Sequence, residues 1–263
     1  MILYPLNSVA DATSPGHGPD HDAISAWEAI ECSQRQPATA WWLIAQPDHA
    51  ALAGDLAGYA SSPCLPTLDE DVLQAIRLHD EGWNLFDRGT PEADYRGRPL
   101  SFFDVTPPDF VRAWLGSIER AQQVAPISGI MVSEHFCRIA QFRLQTKPDT
   151  PEYLRIIHEF LVTESERQRQ LSQQQRRSPE EIRVLVDVLQ LCDLISLYLC
   201  CGSPAAVAFP QQFHGQSFRA HREGELCRTE PPLFGRGASL SVAARRFPAS
   251  PETGAANLPF LIV

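Results

Sequence analysis

Lysine is almost missing from this chain: Lys147 is the only one among 263 residues, and it stands in the stretch QTKPDT. A phosphate-binding loop of the Walker type needs a lysine directly after a glycine-rich turn. That motif is therefore excluded, and a catalytic lysine Schiff base is a poor expectation as well.

Basic residues as a whole are fewer than acidic ones, 22 against 32, which gives a net charge of −10. Such a charge opposes binding to nucleic acid polymers and to anionic membranes, so neither is expected as a partner.

The cysteine count is odd, at seven, and no signal-peptide pattern begins the chain. We therefore expect a cytoplasmic protein without a disulfide framework. The most apolar stretch, 184–201, carries Asp187 and Asp193, which favours a buried helix over a membrane span.

The pattern of apolar residues divides the chain into three parts. Residues 1–40 hold a short strand and then, at 8–24, a segment rich in Gly, Pro, Asp and Ser that predicts a mobile loop. The proline-rich tail, 203–263, has three β-prone runs, at 216–220, 238–247 and 258–263. The part between them, 41–202, shows helical periods that predict helices at 48–59, 68–83, 109–124, 127–145, 151–176 and 178–202. We expect a mainly α fold, a helical bundle with a small β element packed on it near the C-terminus.

Asp193 is the most informative residue of the helical part. Its neighbours Leu189, Leu191, Ile195 and Leu197 leave almost no polar face on that helix. A buried carboxylate without a partner is very costly, so a metal ion, another cation or strong hydrogen-bond donors should face it. An ion pair with a core arginine or a helix-cap contact is the simpler alternative.

Several histidines also fall on apolar helix faces. His135 follows Met131 by four positions, and His158 shares a face with Leu154 and Ile157. Each of them alone is explained as an ordinary core histidine. The whole set of imidazoles and carboxylates predicted to face inward is His49, His79, Asp80, His135, His158 and Asp193. Such a set suits one or two divalent ions of Mn, Fe, Zn, Ni or Mg, whereas the cysteines, with no C-x-x-C spacing, predict no rival site.

The order of four of these residues resembles a known superfamily. His49, then the pair His79-Asp80 in HDEGW, then Asp193 repeats the H…HD…D order of the HD-domain superfamily, and HDEGW resembles its HD-x-G continuation. The stretches IAQPDHAALAGDLA and AIRLHDEGW further resemble a bacterial family of domains of unknown function, DUF3891, along most of the chain.

The HD resemblance implies that these four residues ligate a divalent metal inside a helical, HD-like core at 41–202. The two-metal branches of that superfamily have further histidines between the HD pair and the last aspartate, a role that His135 and His158 would fill here. The resemblance to DUF3891 brings no established reaction.

The commonest chemistry of the HD superfamily is phosphohydrolysis, so we expect a hydrolase of a small phosphoester, such as a nucleotide or another phosphorylated compound. The ion would lower the pKa of a bound water and polarise a phosphoryl oxygen. The candidates for catalytic acid or base are Asp80, Glu81 and Glu134. The arginines expected to bind the substrate phosphate, all near the motifs in sequence, are Arg77, Arg96, Arg98 and Arg138.

Two other functions stay open at this point. An HD-type di-iron oxygenase would need both His135 and His158 as ligands. A non-catalytic sensor or scaffold would hold a metal structurally, or none, and would use the β tail as an interaction surface. A homodimer is compatible with the sequence.

Overall fold

The computed structural model of the chain describes residues 1–6, 23–234, 238–249 and 254–263. Most of the segment predicted to be a mobile loop, residues 8–22, lies outside these ranges. Within them, eight strands form one mixed sheet in the order β1-β3-β7-β8-β6-β5-β4-β2. The strands are β1 (Ile2–Leu6), β2 (Ile24–Ser25), β3 (Ala40–Ile44), β4 (Val207–Phe213), β5 (Gln216–Glu223), β6 (Leu226–Glu230), β7 (Ala238–Phe247) and β8 (Ala255–Ile262).

This sheet shows that the prediction of a mainly α bundle with a small β element is wrong. The sheet curls into a half-barrel, and 22% of the described residues are in β-structure, against 52% in helices. It is large because β1 and β3, from the start of the chain, pair with each other and then with the tail, where Trp42 lies opposite Arg246 on β7. The tail itself adds β4 and β6, which the sequence did not predict.

Along β7 one face of the sheet is packed and the other faces water. Leu240, Val242 and Ala244 are buried there, whereas Ser239 and Ser241 between them are exposed. This alternation is typical of an antiparallel sheet covered on one side. The helices provide that cover, since α2 (Gln46–Tyr59) contacts β7.

Helices are present at each of the six predicted places, and two short ones are added. In chain order they are α1 (Ala26–Arg35), α2, α3 (Glu70–Leu78), α4 (Asn84–Asp87), α5 (Pro107–Gln122), α6 (Pro126–Thr146), α7 (Pro151–Ser172) and α8 (Pro179–Cys201). The predicted capping box of α8 is confirmed, because Ser178 and Glu181 bond reciprocally to each other's backbone N–H. Gly202 ends that helix in the left-handed conformation, at φ 67°.

Helix α8 lies in the middle of the molecule. It packs against α1, α2 and α6 and against strands β1 and β4. It is the one helix of the described residues that is long and apolar enough to cross a membrane, but 83% of its apolar window is buried inside the protein. Its apolar character is therefore accounted for by its position in the core, and this is the setting in which Asp193 stands.

Candidate metal centre

Five buried side chains from four different parts of the helical layer meet at one point. His49 comes from α2, His79 and Asp80 from the turn after α3, His135 from α6 and Asp193 from α8. None of them is more than 8% exposed. Since burying so many polar groups is costly, the fold must satisfy them in some way.

The distances within this cluster are short. Nε2 of His49 lies 2.8 Å from Oδ2 of Asp80, and Nε2 of His79 lies 3.4 Å from Oδ1 of Asp193. Nε2 of His135 is 3.9 Å from the other oxygen of Asp193. One nitrogen from each of His49 and His79 and one oxygen of Asp193 all lie within 4.8 Å of one another. We refer to these five residues as the His/Asp cluster.

The hydrogen bonding of His79 leaves a lone pair directed at the cluster. Its Nδ1 lies 2.7 Å from the carbonyl oxygen of Ile76, which can only accept, so Nδ1 carries a proton. In the neutral ring Nε2 is then unprotonated, and this buried atom has no hydrogen-bond partner. A backbone carbonyl that fixes the tautomer in this way is a common support for a metal-binding histidine.

His49 is oriented by Ser196 in a similar way. The Ser196 hydroxyl donates to the carbonyl oxygen of Asp193 at 2.8 Å, so it accepts from Nδ1 of His49 at 2.9 Å. In the neutral ring Nε2 of His49 then has a lone pair, and it faces a carboxylate oxygen of Asp80. Two acceptors at this distance need a proton or a metal ion between them. The spacing of 2.8 Å is that of a hydrogen bond with the proton in place, and two ligands of an octahedral ion at about 2.1 Å would lie at a similar distance, about 3.0 Å.

The cluster attracts positive charge. Burial lowers the pKa of His79, but the charges of Asp80 and Asp193 outweigh burial and raise it to about 9. At His135 burial dominates and lowers the pKa to about 4, so this imidazole is neutral. Burial raises the pKa of Asp193, but His79 and the other imidazoles lower it to about 2. An ion that bound here would displace the proton from His79.

The turn after α3 depends on a glycine. The helix was predicted to continue to residue 83, but it ends at Leu78, and a short 3₁₀ helix, Glu81–Trp83, follows Asp80. The N–H of Gly82 donates to Oγ of Ser117 on α5 at 2.9 Å. A Cβ at position 82 would lie 2.0 Å from the carbonyl oxygen of Ala113. The glycine of HDEGW therefore allows α5 to pack directly on the chain that carries the HD pair.

A cavity of about 460 Å³ opens beside the cluster, within the usual size range of small-molecule sites. Asp80, His135 and Asp193 line its buried end. Aromatic residues are the largest group among those that line it: Trp27, Trp83, Phe102, Phe103, Phe110, Trp114, Phe136 and Phe142. This aromatic wall was not predicted because its residues come from separate elements, although the adjacent rings in SFFDV were a signal. Ser196 was not predicted either.

One predicted ligand, His158, does not join the cluster. It is exposed on α7, whose buried face runs through Ile157, Phe160 and Glu164. Those three residues lie within about 60° of one another, and His158 is turned roughly 100° beyond Ile157 on the outer side. The prediction that His158 faces inward is therefore wrong.

The arginines predicted to bind phosphate do not line the cavity either. Each is engaged elsewhere: Arg77 with Asp55, Arg96 with the ring of Tyr95, Arg98 with Asp94 and Asp104, and Arg138 with Glu134 and Asp187. Their proximity to the motifs in sequence did not place them in the cavity. The cationic residues that do line the cavity are Arg35, Arg143 and Lys147.

Of the three acid or base candidates, only Asp80 reaches the cavity. Glu81 accepts a hydrogen bond from the side-chain amide of Asn84 at 2.7 Å. Glu134 accepts one from Arg138 at 3.1 Å. Both glutamates therefore have local partners on their own segments.

Two histidine variants test the composition of the cluster. His135→Ala is expected to weaken the binding of Zn²⁺ or Mn²⁺ by about tenfold or more, whereas His158→Ala should leave it unchanged. The two changes remove the same group, one from the cluster and one from an exposed helix face, so each is the control for the other. Calorimetric titration of the metal-free variants measures the difference. Equal affinities would remove His135 from the ligand set.

Helices cover the curled sheet and bring three histidines and two aspartates together beside an aromatic cavity. This arrangement defines an α+β protein with a candidate metal centre. Residues 34–248 match the family described as "Protein of unknown function (DUF3891)", so the chain belongs to that family. The predicted resemblance to DUF3891 is thereby confirmed, while the resemblance to HD domains rests on the motif order alone. No curated protein and no solved structure matches the chain.

Proposed function

We propose that this protein is a metal-dependent hydrolase that holds a divalent ion in the His/Asp cluster and acts on a phosphoester. The observation that carries the proposal is the unpartnered Nε2 of buried His79, whose tautomer is fixed toward the cluster. The facing pair of His49 and Asp80 supports it, because a divalent ion beside these two atoms would replace the proton that they share in the metal-free protein. Imidazole and carboxylate ligands together suit the borderline and hard ions Mn, Fe, Zn, Ni and Mg.

The order of the ligands along the chain favours hydrolysis among metal-dependent reactions. His49, His79-Asp80 and Asp193 follow one another as in HD-type hydrolases, and all four lie on or beside helices. This likeness concerns the cluster only and does not extend to the sheet.

The residues of the cavity have distinct roles in this proposal. A bound divalent ion would supply an activated water and a Lewis acid for the phosphoryl group. Asp80, His135 and Asp193 are the cluster members that a substrate would meet, because they line the cavity, whereas His49 and His79 hold the ion from behind. Asp80 accepts the proton of an attacking water most directly, since it is the acid or base candidate at this end of the cavity. The aromatic wall excludes bulk water.

The two alternatives receive less support. The di-iron oxygenase needed His135 and His158 together, and His158 is exposed on α7. A scaffold has no need of a cavity that leads to the cluster, so that cavity favours a protein that binds a small molecule there.

Metal depletion and reconstitution test the proposal. Protein treated with a chelator and then supplied singly with Mn²⁺, Fe²⁺, Zn²⁺, Ni²⁺ or Mg²⁺ should bind about one ion, or two, per chain and hydrolyse at least one member of a phosphoester panel. Elemental analysis and phosphate release are the two measurements, and the metal-depleted protein is the control. Binding without turnover of any ester would favour the sensor, and failure to bind any of the five ions would end the metal hypothesis.

A further inference from the structure

One wall of the cavity is a single stripe along α6. His135, Ile139, Phe142 and Thr146 line the cavity at intervals of three and four residues, so they share one face of the helix. At 1.5 Å per residue, this stripe extends about 16 Å from the cluster to the surface. It is polar at its buried end and apolar along its middle.

Aromatic rings face this stripe from two other directions. Phe110 and Trp114 of α5 have ring centroids 4.4 Å apart, and Trp114 stacks on Phe136 at 5.0 Å with an angle of 16° between the rings. On the other side Trp27 of α1 lies 5.2 Å from Phe103. A cavity built from ring faces and edges fits a flat apolar group.

Apart from the His/Asp cluster, the charged residues that line the cavity are Glu31 and Arg35 of α1 and Arg143 and Lys147 at the C-terminal end of α6. Arg35 is the last residue of α1 and pairs with Glu31, and Arg143, in the last turn of α6, pairs with Asp149. Lys147 follows α6 directly. A sugar or a polyphosphate would leave its polar groups unpaired along the aromatic stretch, which is costly.

We propose that the substrate is a phosphoester whose organic part is apolar and aromatic, with the phosphoryl group at the His/Asp cluster and the ring along the α6 stripe. This inference rests on the proposed function for the reaction, and on the cavity wall for the organic part. It favours a substrate with an apolar ring over a sugar phosphate.

Two pairs of compounds test it. 3-Phenylpropyl phosphate and propyl phosphate release similar alkoxides, so a difference in hydrolysis reports the organic part rather than the leaving group. The metal-loaded protein should prefer the phenyl compound at least tenfold in kcat/KM, because a buried ring removes a large apolar area from water. The corresponding phosphonates, which are not hydrolysed, should show the same preference in Kd. Quenching of tryptophan fluorescence measures that binding, because Trp27, Trp83 and Trp114 line the cavity.

A variant at the outer part of the stripe tests whether the preference for the phenyl compounds arises there. Phe142 is 52% exposed, so Phe142→Ala should fold normally and lower the preference for the phenyl compounds about threefold or more. Tyr95→Ala is the matched control, because Tyr95 is an aromatic residue that is 88% exposed and does not line the cavity. It should leave the preference unchanged.

The outcomes separate this inference from the proposed function. Hydrolysis of both esters at equal kcat/KM, with equal Kd for both phosphonates, would overturn the aromatic substrate and leave the hydrolase standing. Preferential binding of the phenyl phosphonate with no hydrolysis of either ester would support the aromatic ligand and overturn the hydrolase. A preference that Phe142→Ala does not reduce would show that the ring does not lie along α6, and the inference would fail.

Discussion

Asp193→Asn is expected to lower the affinity of the cluster for a divalent ion at least about a hundredfold, since changes even to groups behind the ligands cost ten- to a hundredfold. The amide keeps the shape of the side chain but removes a charge close to three imidazoles. Imidazoles with a single remaining carboxylate bind hard ions poorly. Elemental analysis of the purified variant and phosphate release measure the two losses.

A matched control lies on the same helix. Asp187 pairs with Arg138 and is outside the cluster, so Asp187→Asn should keep both metal and activity. No arginine pairs with Asp193 among the residues that the structure describes, which removes the sequence-based alternative of a pair with a core arginine. If Asp193 served only to balance a protonated His79, Asp193→Asn would keep its metal content and lose roughly 3–5 kcal/mol of unfolding free energy. That result would contradict the metal centre.

Gly82→Ala is expected to lower the free energy of unfolding by about 3 kcal/mol or more, because overpacking against backbone cannot relax by a side-chain rotation. The new methyl group would lie 2.0 Å from the carbonyl oxygen of Ala113 and 2.7 Å from the backbone nitrogen of Ser117. Either α5 or the turn that carries His79 and Asp80 must move. Thermal or denaturant unfolding of the metal-free protein measures the loss, and metal titration should show weaker binding as well.

Gly58→Ala is the control for this change. Gly58 lies in α2 with nothing within 4 Å of its added Cβ, so alanine should be neutral there or stabilise the protein by up to about 1 kcal/mol through its helix propensity. If Gly82→Ala unfolded at the same denaturant concentration as the parent protein, the close packing of α5 on the turn would not matter for stability.

The sequence was sufficient to identify most of the His/Asp cluster. Asp193 stood out because an acidic residue interrupted an apolar helix, and His49, His79 and Asp80 stood out by their order. His135 and His158 had equally good apolar neighbours, yet only His135 lies on a helix that is buried on nearly all sides. The spacing of apolar residues in a sequence shows that a helix has an apolar face. It does not show how much of the helix surface the rest of the fold will bury.

The sheet was harder to predict for a different reason. The runs at β1 and β3 were visible as apolar stretches, but β7, which pairs with β3, lies near the other end of the sequence. No local period reports such a pairing. The aromatic cavity was not predicted for the same reason: its residues are distant in the sequence, and it forms only when α1, α5 and α6 pack together.

The joining of β3 to β7 also has a consequence for how the chain acquires its structure. The paired residues Trp42 and Arg246 are about 200 positions apart, and pairings over such distances close slowly because so much chain must be ordered to form them. During synthesis at about 5–20 residues per second, the first strands wait on the order of ten seconds or more for the strand that completes their edge. Throughout that interval the edge of β3 is open to other chains, so early engagement by a chaperone would benefit this protein.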